Sequence, residues 1–312
     1  MAHSTLLIVN PAAGGGRAAR ALDRVLVELG PIGPFDVFVT QPGEARPAER
    51  AAREAVHAGA TRLIVLGGDG SSSQAANGIY AAGGLDALAA VELCLLPAGT
   101  GRDYARSAGV LRDPVAAARA LARGVAARRV DVGTVRCGDG PERLFLNVAS
   151  FGVSARIAHA LEEYPQIKRH AGSIAFGLAT VRAGLRYAAD AVELSVDGVP
   201  FGRGPTAAAA IANGAWFGGG MHVAPDALIT DGTLSVVRFG DLARSDFVLS
   251  LPKLYRGTHY SHPQVTHTIG SLVSAASIGE ASARPIEIEA DGEIAGALPA
   301  TFGVLPGALA LR

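Results

Sequence analysis

Short apolar runs alternate with longer helical patterns along the first 133 residues. Strands are predicted where the runs are short and continuous, at 5–9, 35–39, 62–66 and 91–96. Helices are predicted where alanine and arginine dominate, at 15–29, 45–58, 71–82, 101–108 and 114–124. This alternation is typical of a parallel sheet with helices on its faces. The sequence therefore predicts an α/β N-terminal domain over residues 1–133, with candidate ligand loops where the strands end.

The pattern changes after about residue 134 to short runs in which apolar and polar positions alternate. Val192, Leu194 and Val196 precede an Asp197-Gly198 turn signal, and Ile286 and Ile288 alternate with glutamates. Such alternation favours antiparallel strands. We expect residues 134–301 to form a β-rich antiparallel domain, and the last strand, within 302–312, to return to the first domain.

One helical insertion, at 155–189, interrupts the second domain. Its apolar residues recur at helical spacing beside several basic residues, namely Ile174, Leu178, Val181 and Leu185 with Lys168, Arg169, Arg182 and Arg186. Two interpretations stay open, a helix that touches a membrane surface and a helix packed on its own domain. The uncharged run 204–225 is rich in glycine and proline, so we expect strand and loop there rather than a membrane span.

Composition limits the classes of function. The 312 residues, 49% of them hydrophobic, can bury a large core and form two domains. Because Lys+Arg and Asp+Glu both number 28, no overall field favours nucleic acid, and no nucleic-acid partner is expected. Two cysteines exclude a disulfide framework and fit a reducing compartment. The N-terminus enters a strand without a signal-peptide pattern, so we expect a cytoplasmic protein.

The segment 65–78 is the strongest chemical signal in the chain. An apolar strand breaks into Gly67, Gly68, Asp69 and Gly70, followed by three serines. Glycines let backbone N–H groups approach an anion closely, and the helix predicted from Ser71 adds its positive end. A carboxylate beside a polyphosphate implies a divalent cation or a proton to be handled, which favours phosphoryl transfer. Taken alone, the segment also fits an ordinary capped strand-to-helix turn.

Four glycine-containing segments follow one another at wide spacing, namely 10–14, 67–71, 96–103 and 291–293. They read Asn-Pro-Ala-Ala-Gly, Gly-Gly-Asp-Gly-Ser, Leu-Pro-Ala-Gly-Thr-Gly-Arg-Asp and Asp-Gly-Glu. Their order and spacing resemble the diacylglycerol kinase catalytic family, which includes bacterial diacylglycerol kinases and sphingosine and ceramide kinases. A fifth segment, Gly218 to Met221 followed by Asp231-Gly232-Thr233-Leu234, is similar to the one ahead of that family's metal loop. The resemblance covers nearly the whole chain.

The resemblance implies a role for each matching residue. It assigns ATP binding to Asn10, Pro11, Gly14, Thr40, Gly67, Gly68, Asp69, Gly70, Ser71, Ser72, Ser73, Gly99, Thr100, Gly101, Arg102 and Asp103. It makes Glu293 the base that deprotonates a lipid hydroxyl, and Asp69 a residue that acts through Mg²⁺ and water. It assigns a second, structural Mg²⁺ to Asp231 with the carbonyls of Leu228 and Thr233. It also implies an active site between the domains, a lipid substrate met peripherally at a membrane surface, and a homodimer as one arrangement.

Two departures and two rival functions remain. Arg102 stands where the family has asparagine, and Ser71 stands where threonine is commoner, although serine keeps the hydroxyl. One rival is an NAD kinase-like enzyme with a soluble acceptor, and the other is a nucleotide-binding regulator that has lost catalysis. The only lysines, Lys168 and Lys253, do not follow a glycine, so a Walker A motif is excluded. The Leu-Pro-Ala-Gly-Thr-Gly segment and the Asp-Gly-Glu near the C-terminus favour the lipid kinase over the NAD kinase. Retention of Asp69, Asp231 and Glu293 together argues against the regulator, and the sequence does not identify the lipid.

Overall fold

The computed structural model describes residues 3–153, 189–243, 245–246, 250–279 and 284–312. The chain divides into two units, one of Met1–Asp131 with Gly307–Arg312 and one of Val132–Pro306. The predicted fold class is confirmed, because the first unit is α/β and the second is built from antiparallel strands. The predicted helical insertion 155–189 falls on residues 154–188, which lie outside the described part of the chain.

The first unit is organised around a parallel sheet. Its strands are β1 (Thr5–Val9), β2 (Asp36–Val39), β3 (Arg62–Gly67), β4 (Glu92–Pro97) and the end of β16 (Ala300–Leu311). The order is β2-β1-β3-β4-β16, and the last pair is formed by Ala310 and Leu311 opposite Glu92 and Leu93. Strands β1, β3 and β4 are buried almost throughout, as expected of continuous apolar runs covered on both faces.

Five helices flank this sheet, α1 (Ala13–Leu29), α2 (Pro47–His57), α3 (Asp69–Ala90), α4 (Asp103–Ser107) and α5 (Pro114–Ala122). The predicted helices are all present, but the bounds of α3 were wrong. It begins at Asp69 instead of residue 71, because the Gly68 carbonyl already accepts the Ser72 N–H at 3.1 Å. It continues to Ala90 across non-helical Gly83 and Gly84, where a stop at residue 82 was predicted.

The second unit contains two antiparallel layers. One has the order β12-β11-β10-β7-β14-β15, and the other joins β9, β8, β13 and the first part of β16, with β5 paired to β6 and β16. The bounds are β5 (Arg128–Cys137), β6 (Arg143–Phe145), β7 (Val148–Gly152), β8 (Asp190–Val196), β9 (Val199–Thr206), β10 (Ala208–Ala212), β11 (Leu234–Phe239), β12 (Val265–Gly270), β13 (Leu272–Ser277), β14 (Glu287–Ala290) and β15 (Glu293–Ala297). The described part of this unit also contains helix α6 (Leu251–Arg256). Phe151 and Ile288 of the first layer share one apolar core with Leu194 and Phe302 of the second.

One smaller prediction is also confirmed. The uncharged run 204–225 forms the end of β9, all of β10 and a loop, so it is strand and loop. Cys94 is buried in β4, and burial raises the pKa of its thiol to about 12, which keeps it protonated and inert.

Helices α2 and α3 pack closely at Gly78. A Cβ at this position would lie 2.3 Å from the Glu49 carbonyl oxygen and 2.7 Å from the Ala52 Cβ. Both contacts are shorter than van der Waals contact, so any larger residue must push the helices apart.

We therefore expect Gly78→Ala to lower the free energy of unfolding by about 1–3 kcal/mol, because overpacking outweighs the gain in helix propensity. The matched control is Gly30→Ala at the end of α1, where the backbone is also helical and a Cβ would meet nothing within 4 Å. Thermal and urea unfolding of both variants would check this. Equal stability of the two variants would contradict the packing argument.

Candidate active site

The loop after β1 connects to the loop after β3 through Asn10. The Asn10 Nδ2 donates to Ser71 Oγ at 3.1 Å, and its Oδ1 accepts from the Ala12 N–H at 3.2 Å. Gly14, Gly15 and Gly16 then follow with φ of 60°, 64° and 83°, a left-handed run that favours glycine. A Cβ on Gly14 would lie 2.1 Å from the Ala98 carbonyl oxygen, so the first loop also contacts the loop after β4.

The loops after β3 and β4 meet at two glycines. A Cβ on Gly99 would lie 2.7 Å from the Gly68 Cα, and the N–H groups of Ala98 and Gly99 donate to the Gly67 carbonyl at 2.7 and 3.1 Å. A Cβ on Gly68 would meet only the Gly99 Cα, at 3.4 Å, which is ordinary contact. Gly14 and Gly99 therefore let the loops touch, whereas Gly68 borders open space.

Asp69 lies at the centre of these loops as the first residue of α3. Its Oδ2 accepts from the Asp103 N–H at 2.9 Å, which holds the second and third predicted motifs together. The positive end of α3 stabilises a carboxylate in this position. Asp103 itself is buried at the start of α4.

The predicted hydroxyls occupy different environments. Ser71, Ser72 and Ser73 are buried in the first turn of α3, and the Ser72 hydroxyl donates to the Gly68 carbonyl at 3.3 Å. Thr40 is buried just after β2, where its N–H donates to the Val9 carbonyl at 2.9 Å beside the first loop. Thr100 is exposed, between half-buried Gly101 and buried Gly99. Pro11 and Gly70 are half-buried.

Two arginines fasten this region to backbone carbonyls. Arg17 of α1 donates through Nη1 to the Gly99 carbonyl at 2.8 Å. Arg102 has a left-handed backbone, with φ 54°, and donates through Nη1 to the Arg112 carbonyl at 2.7 Å. Arg17 was not predicted from the sequence, although a cation directly after a glycine run next to a strand was an available signal.

In the second unit, Glu293 follows a tight hairpin turn between β14 and β15. Asp291 and Gly292 form the turn with φ of 50° and 89°, the left-handed pair that a type I′ turn requires. Glu293 is the first residue of β15, opposite Ala290, and is half-buried.

Two carboxylates hold this turn in place. Asp291 accepts from the N–H groups of Leu146, Asn147 and Val148 at 2.6, 3.0 and 3.1 Å. Glu289, which is buried, accepts from Gly292 N–H at 2.5 Å and from Ser150 Oγ at 2.9 Å. Glu289 was not predicted as a site residue, because strict alternation in β14 would place it with the solvent-facing residues. The turn that carries Glu293 is therefore fixed on both sides.

The proposed structural metal loop lies elsewhere in the second unit. Asp231 is exposed, and its Oδ1 accepts from the Thr233 N–H and hydroxyl at 3.0 and 2.9 Å; Leu228 is also exposed. Mg²⁺ prefers carboxylate and carbonyl oxygens as ligands, and this loop supplies ligands of that kind. Among the described residues no group of three or more His, Cys, Asp and Glu could hold a metal, so carbonyls and water would have to complete the set.

Two histidines of this unit, His222 and His259, have structural partners. His222 stacks on Trp216 with ring centroids 3.8 Å apart. His259 is buried with its Nε2 3.0 Å from the Val223 carbonyl, and burial lowers its pKa to about 4, so it is neutral at neutral pH. These contacts support the interpretation of both residues as packing residues rather than metal ligands.

Comparison with known proteins follows the same division of the chain. Residues 4–135 match the family model "Diacylglycerol kinase catalytic domain", and residues 147–312 match "YegS C-terminal NAD kinase beta sandwich-like domain". A diacylglycerol kinase of Mycobacterium tuberculosis is 27% identical over 303 residues, which cover 97% of this chain and 92% of the relative. A Pseudomonas fluorescens protein named "Probable lipid kinase YegS-like" is 34% identical over 222 residues, 71% of this chain and 69% of the relative.

Solved structures show the same fold. A diacylglycerol kinase from Bacillus anthracis aligns with 98% of this chain and 95% of its own, with a TM-score of 0.71 at 21% identity. The resemblance inferred from the motifs is thus confirmed at the level of the family. The chain belongs to the family of diacylglycerol kinases and YegS-like lipid kinases.

Proposed function

We propose that this lipid kinase transfers the γ-phosphate of ATP, with Mg²⁺, to the hydroxyl of a diacylglycerol-like or sphingoid-like lipid. The observation that carries the proposal is the meeting of three glycine loops in the first unit around Asp69. The Gly14 to Ala98 and Gly68 to Gly99 contacts bring backbone amides and the start of α3 together, beside open space at Gly68. Backbone N–H groups of a glycine loop at the start of a helix bind phosphate.

The donor nucleotide binds to the first unit in this proposal. The N–H groups of the Gly68 loop and of the residues after Gly99 contact the phosphates, together with the hydroxyls of Ser71 and Ser73, and Asn10 holds Ser71 in place. Thr40, at the end of β2, and Thr100, at the exposed tip of the third loop, contribute the remaining hydroxyls. These groups position the triphosphate, which is most of what a phosphoryl-transfer enzyme does.

Asp69 would hold the Mg²⁺ that accompanies the triphosphate, because a carboxylate oriented by the Asp103 N–H is a hard oxygen donor. When bound, Mg²⁺ neutralises charge on the phosphate oxygens. Asp231, with the carbonyls of Leu228 and Thr233, would hold a second, structural ion in the second unit.

Glu293 acts as the general base. Its carboxylate takes the proton of the lipid hydroxyl as the oxygen forms its bond to the γ-phosphorus, and the bond from that phosphorus to the β,γ-bridging oxygen breaks to release ADP. No covalent enzyme intermediate is needed. The turn held by Asp291 and Glu289 fixes the backbone just before Glu293.

The acceptor is expected to reach the enzyme at a membrane surface. Within the described ranges, no helix is long and apolar enough to cross a bilayer. We propose a cytoplasmic enzyme that binds the membrane peripherally, with a homodimer as one assembly. The relatives named diacylglycerol kinase support a lipid acceptor. Phosphorylation of NAD, with no transfer to any lipid in mixed micelles, would overturn this choice of acceptor.

We expect Glu293→Gln to lower kcat by about 10²–10⁴-fold with little change in the KM for ATP, because the amide cannot accept the proton. The assay follows γ-phosphate transfer from labelled ATP to lipids in mixed micelles. Glu287→Gln, at the other end of the same hairpin, is the matched control and should retain wild-type turnover. Unchanged turnover in Glu293→Gln would eliminate this residue as the base.

Gly68→Val should abolish nucleotide binding without unfolding the protein. Gly68 has φ −99° and ψ −178°, which valine adopts readily, and its Cβ would make only an ordinary 3.4 Å contact. The side chain would instead occupy the space proposed for phosphate. Calorimetric titration with ATP and thermal unfolding measure the two effects separately. The contrasting variant is Gly99→Val, which should lose stability because its Cβ would lie 2.7 Å from the Gly68 Cα. Normal ATP affinity in Gly68→Val would rule out the cradle.

Asp291→Ala should lower both stability and turnover, because three N–H groups lose their acceptor and the turn before Glu293 is released. The expected loss of unfolding free energy is about 2 kcal/mol or more. Asp197→Ala is the matched control, since Asp197 forms the same kind of Asp-Gly turn and accepts from Ser271 and Leu272. It should lose stability and keep its turnover at a temperature where both variants are folded. Equal turnover in the two variants would show that the Asp291 turn does not position the base.

A further inference from the structure

Arg102 occupies a backbone conformation that arginine rarely adopts. Its φ of 54° and ψ of 41° lie in the left-handed region, which asparagine, aspartate and glycine tolerate best. An arginine held in such a conformation at the edge of a candidate site is a reason to look for a role of its side chain.

The guanidinium of Arg102 is fixed in place. Its Nη1 donates to the Arg112 carbonyl at 2.7 Å, and its Nε is buried. Arg17 is fixed in the same way on the other side of the loop, through its 2.8 Å bond to the Gly99 carbonyl. Both contacts are to neutral carbonyl groups, so they orient the two cations without neutralising their charge.

Positive charge accumulates around this loop although the chain as a whole is neutral. We call this group the arginine cluster, defined as Arg17, Arg102, Arg106 and Arg112. Burial lowers the pKa of Arg102, and the charges of the other three cluster members lower it further, opposed by Asp113. The carboxylate of Asp113 also caps α5 by accepting from the Ala116 N–H at 2.8 Å.

Fixed cations that repel one another are stabilised by an anion between or beside them. The glycine loops adjoin the cluster directly, because Arg17 bonds to Gly99 and Gly99 contacts Gly68. We propose that the arginine cluster is a polyphosphate subsite that binds the charged tail of the nucleoside triphosphate. The inference rests on the proposed function and adds to it the source of affinity for the higher phosphates.

The proposal is tested with the full chain in the absence of lipid, by calorimetric titration with ATP, ADP, AMP and inorganic tripolyphosphate. Arg102→Asn should weaken ATP and tripolyphosphate binding about tenfold or more, the range of a charged hydrogen bond. AMP affinity should change by less than about threefold, since AMP lacks the tail. The melting temperature should not fall, because asparagine tolerates the left-handed region.

Two further variants sharpen the result. Arg102→Gly removes the cation at a position that suits glycine, and it should reproduce the loss of affinity if Arg102→Asn fails to fold. Arg53→Asn, an exposed arginine on α2 outside the cluster, removes the same charge and should leave ATP affinity within about twofold of wild type.

The outcomes separate this inference from the proposed function. If Arg102→Asn weakened the binding of ATP, ADP and AMP equally and lowered the melting temperature, Arg102 would have only a structural role, and the inference would be overturned. Unchanged tripolyphosphate and ATP binding would also overturn it, while the kinase proposal stands. Wild-type protein that binds tripolyphosphate through Arg102 but no nucleotide would keep the subsite and overturn the kinase proposal. Wild-type protein that binds neither would overturn both.

Discussion

Close approach of three backbone loops is the constraint on which the candidate site depends. Gly14 approaches the Ala98 carbonyl and Gly99 approaches the Gly68 Cα at separations where any Cβ would collide. The parallel sheet ends all of these strands at one edge, but it does not by itself let their loops touch. The absence of side chains at Gly14 and Gly99 allows these contacts.

The second unit contains the same kind of hydrogen-bonded turn twice. Asp197 and Asp291 each begin an Asp-Gly turn, and each carboxylate accepts N–H groups from a neighbouring loop that would otherwise be unpaired there. For Asp197, these hydrogen bonds lower its pKa, the backbone bond from Leu272 being the largest cause. A turn held in this way cannot rotate without losing several charge-assisted hydrogen bonds. The turn at Asp197 therefore serves as a strand connection, and the turn at Asp291 serves as a rigid support next to Glu293.

The α/β alternation of the first unit and the antiparallel strands of the second could be predicted because the spacing of apolar residues differs between helices and strands. The glycine loops could be predicted because few functions other than phosphate binding need such loops. The sequence predicted less well where a contact joins distant residues. One local boundary was also wrong, because α3 begins where the Gly68 carbonyl accepts the Ser72 N–H, before the predicted start. Arg17 reaches Gly99 across 82 positions, and Glu289 is buried against the local alternation because Ser150 and Gly292 donate to it. Patterns along the chain depend on residues that are neighbours in sequence, whereas these roles depend on residues that are neighbours in space.

The residue at position 102 can be interpreted only from the sequence and the backbone conformation together. From the sequence alone, an arginine in place of asparagine is only a departure from the family pattern. The backbone shows why asparagine suits this position, since φ is 54°, and hence that arginine is there at a conformational cost. Its hydrogen bond to the Arg112 carbonyl holds the side chain at that position. The side chain therefore brings positive charge beside the proposed phosphate-binding loops, which asparagine at the same position would not supply.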